Sequence, residues 1–415
     1  RDQSATNRIC RRGRLGWATW SSGSTCVCLT FCRAMLLLMC ATPGRRRLEA
    51  DCVVTAAPKP ADTSAAKPAE VTVDATDTDC KLSATEAGTG PTTFVITNNG
   101  TKVTEFYVYG EGGRVLGEVE NVSPGLQRRL VVQLGEPGTY QTACKPGMVG
   151  DGIRADFTVK GAAFRTDDNG QLKKVSADYK AYVVGQTDEL ITATSAFVAA
   201  IKTGDIAGAK AKYPSTRTYY ERIEPVAESF PDNLDPRIDL READLEPGQR
   251  WTGFHRLEKD LWVTGPQPDT NAVADQLLAD VKELHERVEA PDYTIHATQI
   301  AGGAQGLLDE VAASKITGEE DIFSHTDLWD FYANVEGSRA AVGAVRPVLD
   351  QRDAELGKRV DGRFEAVESM LDKYRKGDGF VSYDTVTEPQ RQELSRAIDA
   401  LGKEVSQVQG AIAPQ

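Results

Sequence analysis

The segment Trp251-Thr252-Gly253-Phe254-His255-Arg256-Leu257-Glu258-Lys259-Asp260-Leu261-Trp262 sets an imidazole and a carboxylate three residues apart. Phe254, Leu257 and Leu261 recur at i, i+3 and i+7, the stripe that a helix buries. At that period His255 and Glu258 stand one above the other on a neighbouring face. Such a pair can ligate one metal ion, and it can equally form an ion pair on a helix surface. The chain contains no HExxH, so the usual zinc-peptidase constellation is missing.

Two other blocks carry candidate donors. Tyr219–Phe230 holds Glu221 and Glu224, again at i, i+3, which presents two carboxylates together. The same pair would also stabilise a helix face by pairing with Arg217 or Arg222. Ser324–Gly337 holds His325, Asp327, Asp330 and Glu336. Asp327 and Asp330, one turn apart, fit ligand, capping or surface roles, and His325 reads as a capping or packing residue. His285 and His296 lie in polar surroundings and read as solvent-facing. Hard cations take carboxylate and water oxygens with one or two imidazoles at most, which is the donor chemistry these blocks offer.

Those blocks need helices to position them. From residue 176 onward apolar residues recur at helical spacing, as in Leu190, Ala193, Phe197 and Ile201. Helices are expected near 176–203, 205–230, 250–263, 270–290, 300–314, 318–337, 338–374 and 387–411, which together imply one or two antiparallel bundles over 176–412. The preceding stretch has a different character. Thr93–Thr97, Val103–Tyr109, Arg114–Val119, Leu130–Leu134, Gly138–Tyr140 and Ala155–Val159 are short β-branched or aromatic runs separated by glycine or proline. They predict a β-sandwich over 77–162, joined to the helices by a linker at 163–175. Residues 53–76, rich in Ala, Pro and Thr, read as a flexible tether.

Residues 1–52 stand apart. They hold six of the eight cysteines, and the first 48 residues hold nine arginines, one acid and no lysine. Arg8, Arg11, Arg12 and Arg14 followed by the apolar run Ala34–Ala41 look like a degenerate export signal, or a frame-shifted start that has replaced one. The run is far short of the roughly 20 residues that span a bilayer, and no packed fold is expected here. The net charge of −13 argues against nucleic acid, which demands a basic face.

The three helical blocks, in this order, closely resemble the imelysin-like family, once grouped with metallopeptidases, and specifically its EfeO branch. The resemblance covers about residues 176–412, and the β-sandwich resembles the cupredoxin-like domain of the same branch. It implies an extracytoplasmic iron-binding protein, periplasmic or at the cell surface, acting in an EfeUOB-type ferrous/ferric uptake system. The implied partners are an oxidase-dependent iron permease and a haem-containing DyP-type peroxidase, with membrane contact only through an anchor or a partner. The implied metal ligands are His255 and Glu258, joined by Glu221, Glu224, Asp275, Asp330 and Glu336 from neighbouring helices. Iron, as Fe3+ or Fe2+, is the expected metal, with zinc able to substitute in vitro.

In the β domain, Tyr140–Met148 resembles the copper loop of cupredoxins, but the histidines are missing and Glu105 stands where one would be. A His₂Cys copper site cannot form. Two readings stay open: a modified copper or iron site from Glu105, Cys144, Met148 and Cys80, or a Cys80–Cys144 disulfide. The overall expectation is a binding protein rather than an enzyme. The alternatives are a zinc-dependent metallopeptidase-like protein and a metal-dependent polymer-binding surface protein.

Overall fold

The computed structural model describes residues 69–164, 170–313 and 315–413. The arginine-rich opening and most of the expected tether lie outside the described residues. The chain folds as an N-terminal all-β sandwich followed by a helical domain, which is not purely α as expected because Arg375–Lys376 and Gly379–Phe380 pair as a short hairpin after its longest helix.

Among the described residues the sandwich has nine strands: β1 Ala69–Ala75, β2 Cys80–Leu82, β3 Glu86–Gly88, β4 Gly90–Asn98, β5 Thr104–Tyr109, β6 Val115–Val122, β7 Gln127–Leu134, β8 Gly138–Pro146 and β9 Ile153–Lys160. One sheet runs β2-β1-β4-β7 and the other β3-β9-β8-β5-β6. Phe94, Phe106 and Phe157 meet edge-on or tilted between the sheets, with centroids 5.3 and 5.4 Å apart. The first strand corrects the sequence reading, because it occupies the end of the expected tether. Val71, Val73 and Ala75 alternate with exposed or half-buried residues, so this short segment buries one face despite the Ala/Pro-rich context. It pairs in parallel with β4 and antiparallel with β2.

The helical domain runs α1 Gln171–Lys202, α2 Ile206–Glu221, α3 Glu224–Glu228, α4 Leu234–Asp239, α5 Gly253–Lys259, α6 Thr270–Glu289, α7 Ala297–Ala313, α8 Asp327–Leu371, α9 Glu388–Val405 and α10 Val408–Ile412. Helix α1 packs on α2 and α6, while α8 packs on α7 and α9; α2 and α8 join the two groups. Helix α8 runs straight through the expected boundary between 318–337 and 338–374 and kinks instead at Asp353 (φ −152°, ψ 76°), and residues 318–326 are not part of it. Gly337 sits inside α8 without ending it. A Cβ there would lie 2.3 Å from the Arg222 carbonyl oxygen, so the missing side chain lets α8 approach the end of α2.

The domains are stitched by specific bonds. The buried Gln409 side chain accepts from the Val131 amide at 2.8 Å and donates to the Thr298 carbonyl at 2.9 Å. Val115 donates its amide to Ser229 at 3.1 Å, and the Arg114 guanidinium stacks on Tyr293.

Candidate metal centre

The α2–α8 junction carries an unusual load of buried charge. On α2, Tyr213, Arg217 and Glu221 recur every four residues and line one face. On α8, Asp327, Asp330 and Asn334 do the same at i, i+3 and i+7. Asp239 ends α4, His255 and Glu258 lie on α5, and Glu320 and Asp321 come from the loop before α8. Lys315 opens a 3₁₀ turn after α7. All of these side chains are buried.

Gly253 fixes where α5 begins. Its φ is +90°, and a Cβ would lie 2.2 Å from the Ile238 carbonyl oxygen. Only glycine permits both the left-handed backbone and this approach to α4. The result brings His255 beside Asp239. His255 Nδ1 faces Glu258 Oε2 at 3.2 Å, while Glu258 Oε1 accepts from the amides of Phe323 and Ser324 at 3.0 and 2.7 Å. Glu258 is therefore clamped, and it in turn fixes the imidazole. The other ring nitrogen, Nε2, has no hydrogen-bond partner. It lies 3.7 Å from Asp239 Oδ1 and 3.5 Å from Glu320 Oε1. Ligand atoms about 2.1 Å from a common metal stand roughly 3.0–3.4 Å apart, so these three atoms are close to a metal-binding arrangement. His255 Nδ1, Glu258 and Asp321 form a second compact group, and Glu221, Glu320 and Asp330 a third.

Charge balance explains the electrostatics. Among the described residues, Glu221, Glu224, Asp239, Glu258, Glu320, Asp321, Asp327 and Asp330 are eight buried carboxylates around three buried cationic side chains, Arg217, Lys315 and His255. Burial and Arg217 push the His255 pKa down, but Asp239, Glu258 and Glu320 outweigh them and raise it to about 10. Burial raises Asp239 to about 6 against Arg217 and His255, and it pushes Glu224 and Asp330 well above the usual carboxylate range. Glu320 goes the other way: burial opposes ionisation, yet Lys315 and His255 hold it well below 4.5. A multivalent cation would relieve this excess of negative charge.

The sequence-derived residues divide clearly. The structure gathers His255, Glu258, Glu221, Glu224 and Asp330 into one cluster. Asp275 lies elsewhere, in an exposed pair with Lys202 at 2.7 Å. Glu336 is on a partly exposed face of α8, away from the buried cluster, held by Arg222 at 2.8 Å. Arg217 pairs with Glu221, as one reading of the sequence had it, whereas Arg222 goes to Glu336. His285 is largely enclosed, its Nδ1 lying 2.9 Å from Thr187 Oγ1, rather than solvent-facing. Asp239, Glu320, Asp321 and Lys315 were not singled out. The available signal was faint: an acidic run, Glu319-Glu320-Asp321, placed just before a helix start.

In the β domain Cys80 and Cys144 are joined in a disulfide with Cα atoms 5.7 Å apart, linking the two sheets. Bonded sulfurs are not thiolates, so the set Glu105, Cys144, Met148 and Cys80 loses its soft anionic ligands. Glu105 is buried and faces Lys145 at 3.6 Å, and Met148 sits in a left-handed turn beyond β8.

Comparison with known proteins agrees with this two-part architecture. The cupredoxin-like domain family matches residues 48–159 and the imelysin family residues 175–408. The fold and its buried polar site thus define an imelysin-class protein with a cupredoxin-like domain ahead of it. The chain is 42% identical over 358 residues to the iron uptake system component EfeO of Escherichia coli O157:H7, covering 84% of this chain and 93% of that protein. The EfeO proteins of Escherichia coli K12 and Shigella flexneri match over the same spans at the same identity. This chain belongs to the EfeO family.

Proposed function

We propose that the chain is an iron-binding component of an iron uptake system, capturing iron at Asp239, His255 and Glu320 and passing it to a membrane permease. The similar proteins are named as iron uptake components. The observation that carries the site is the unpartnered, buried Nε2 of His255 facing Asp239 Oδ1 and Glu320 Oε1. In this reading Glu258 holds the imidazole by Nδ1, and Glu221, Glu224 and Asp330 supply surrounding negative charge. Cargo iron would bring two or three positive charges into a buried cluster already rich in carboxylates. An exported setting, an oxidase-dependent permease and a haem peroxidase of the DyP type complete the proposal.

The test is competitive iron titration, with Fe(III) supplied as its citrate complex. His255→Ala should weaken binding at least about tenfold, on the order of 1.4 kcal/mol. Circular dichroism provides the folding control. Unchanged iron binding in folded His255→Ala would overturn the site. Zinc-dependent peptide hydrolysis that disappears in the same variant would favour a peptidase instead.

A further inference from the structure

We infer that Arg217 is a resident counter-cation which iron must displace, so that loading and release are exchanges between metal and guanidinium. The inference rests on the iron-site reading above and adds its regulation. Arg217 is fully buried near the C-terminal end of α2. Its Nη1 bonds Asp239 Oδ1, and its Nη2 bonds Glu320 Oε1 at 3.1 Å. Those are the same two oxygen atoms that face His255 Nε2. A metal held by Nε2 and these oxygens would therefore compete with the guanidinium atom for atom.

The head group cannot yield by losing its proton, because arginine stays charged in proteins. It can yield only by moving. Two further bonds would retain it as it moves: Nε to Asp330 Oδ2 at 3.0 Å and Nη2 to Glu221 Oε1 at 2.5 Å. Neither Glu221 nor Asp330 shares a compact ligand group with His255. The guanidinium is thus anchored on one side and shares its oxygens with the metal position on the other.

The cost of displacing Arg217 is the same whichever metal enters. It lowers all affinities by a common factor, which sets a threshold that weakly bound cations fail to reach. It also favours release, because the guanidinium returns to Asp239 and Glu320 as the metal departs. A protein that hands its cargo onward needs such reversibility.

The full chain is tested with Fe(III)-citrate and Zn(II) as probes on wild type, Arg217→Lys and Arg217→Met. Both variants should bind both metals at least about tenfold more tightly. Lysine keeps the charge but not the forked reach to two carboxylates. If Arg217→Lys binds as wild type does, direct competition is wrong. A second measurement needs no variant to fold. In 15N NMR of the wild type, the Arg217 Nη–H signals should shift and exchange faster when Ga(III), a diamagnetic stand-in for Fe(III), is added. Unchanged, protected Nη–H signals in the loaded protein would overturn the inference. His255→Ala, run alongside, reports on the iron site itself: intact iron binding there sinks the site reading, whatever Arg217 does.

Discussion

The α2–α8 junction and the seam between the domains are both lined with carboxylates, and they balance them differently. The junction brings cations inside: Lys315 Nζ lies 2.8 Å from Glu221, 3.1 Å from Glu224 and 3.9 Å from Glu320. The seam holds a cavity of about 730 Å³ whose walls include Glu118 and Glu120 of β6, Glu228 of α3 and Asp309 and Glu310 of α7. Burial raises Glu118 to about 8, with Glu105 adding to the effect and Lys145 opposing it. Glu120 and Glu228 are pushed well above their ordinary range by burial, reinforced by neighbouring glutamates. At the junction Lys315 and His255 hold Glu320 well below its ordinary range, while burial still raises Glu224 and Asp330. At the seam, whose walls carry Arg128, Arg129 and Lys403, Glu118, Glu120 and Glu228 are all raised. An acidic composition therefore says little about metal binding until the resident cations are located.

The contrast can be broken most severely at Lys315. Lys315→Met leaves Glu221 and Glu224 without their ammonium in a fully buried setting. Removing one partner of a buried pair costs roughly 3–5 kcal/mol. Urea unfolding of the metal-free variant at pH 8 should show a loss of that order. The loss should shrink at pH 5, because an abandoned carboxylate can take up a proton instead. A loss that is equal at both pH values would mean that the two regions do not differ in the way described.

The seam provides the next effect in size. In the unfolded chain Glu118 ionises near 4.5, while in the fold it does so near about 8. Between those values the folded state holds a proton that the unfolded state lacks. Stability therefore falls as pH rises through this window, and the full penalty is present above about 8. Glu118→Gln removes that contribution. It should leave stability nearly unchanged at pH 5 and raise it by about 1–3 kcal/mol at pH 8, measured by urea unfolding. Glu120 and Glu228 would keep part of the wild-type slope. An unaltered pH slope would show that Glu118 is ionised in the folded protein.

What the sequence made legible follows from what spacing can encode. The i, i+3 relation of His255 and Glu258 sits on one helix and was readable there. Phe254, Leu257 and Leu261 form its buried stripe as the periodicity implied. Asp239 and Glu320 reach the same imidazole from 16 residues before it and 65 residues after it, across chain turns that no local period records. Arg217 was visible only as a partner for Glu221, one turn away, and its bonds to Asp239, Glu320 and Asp330 needed the fold. Strand β1 was masked by composition, since Ala and Pro dominate its surroundings while its own alternation covers only seven residues.

The smallest effect expected is also the sharpest check on which acids belong to the centre. The family resemblance suggested Asp275 and Glu336 as ligands, yet both side chains are spent on surface pairs. Asp275 shares its two oxygens with Lys202 at 2.7 and 2.9 Å, and both partners are about half exposed. Glu336 takes two bonds from Arg222, at 3.0 and 2.8 Å, on a partly exposed face of α8. Exposed pairs of this kind contribute about 0–1 kcal/mol, and water can replace either partner. Asp275→Asn and Glu336→Gln should therefore change stability by less than about 1 kcal/mol and leave Fe(III)-citrate competition at the wild-type level. Asp239→Asn, measured beside them, should weaken iron binding at least about tenfold, because it alters an oxygen that faces His255 Nε2. If Asp275→Asn weakened iron binding as much as Asp239→Asn, iron would have to be held at a surface site on α6, and the buried junction would lose its claim to the metal.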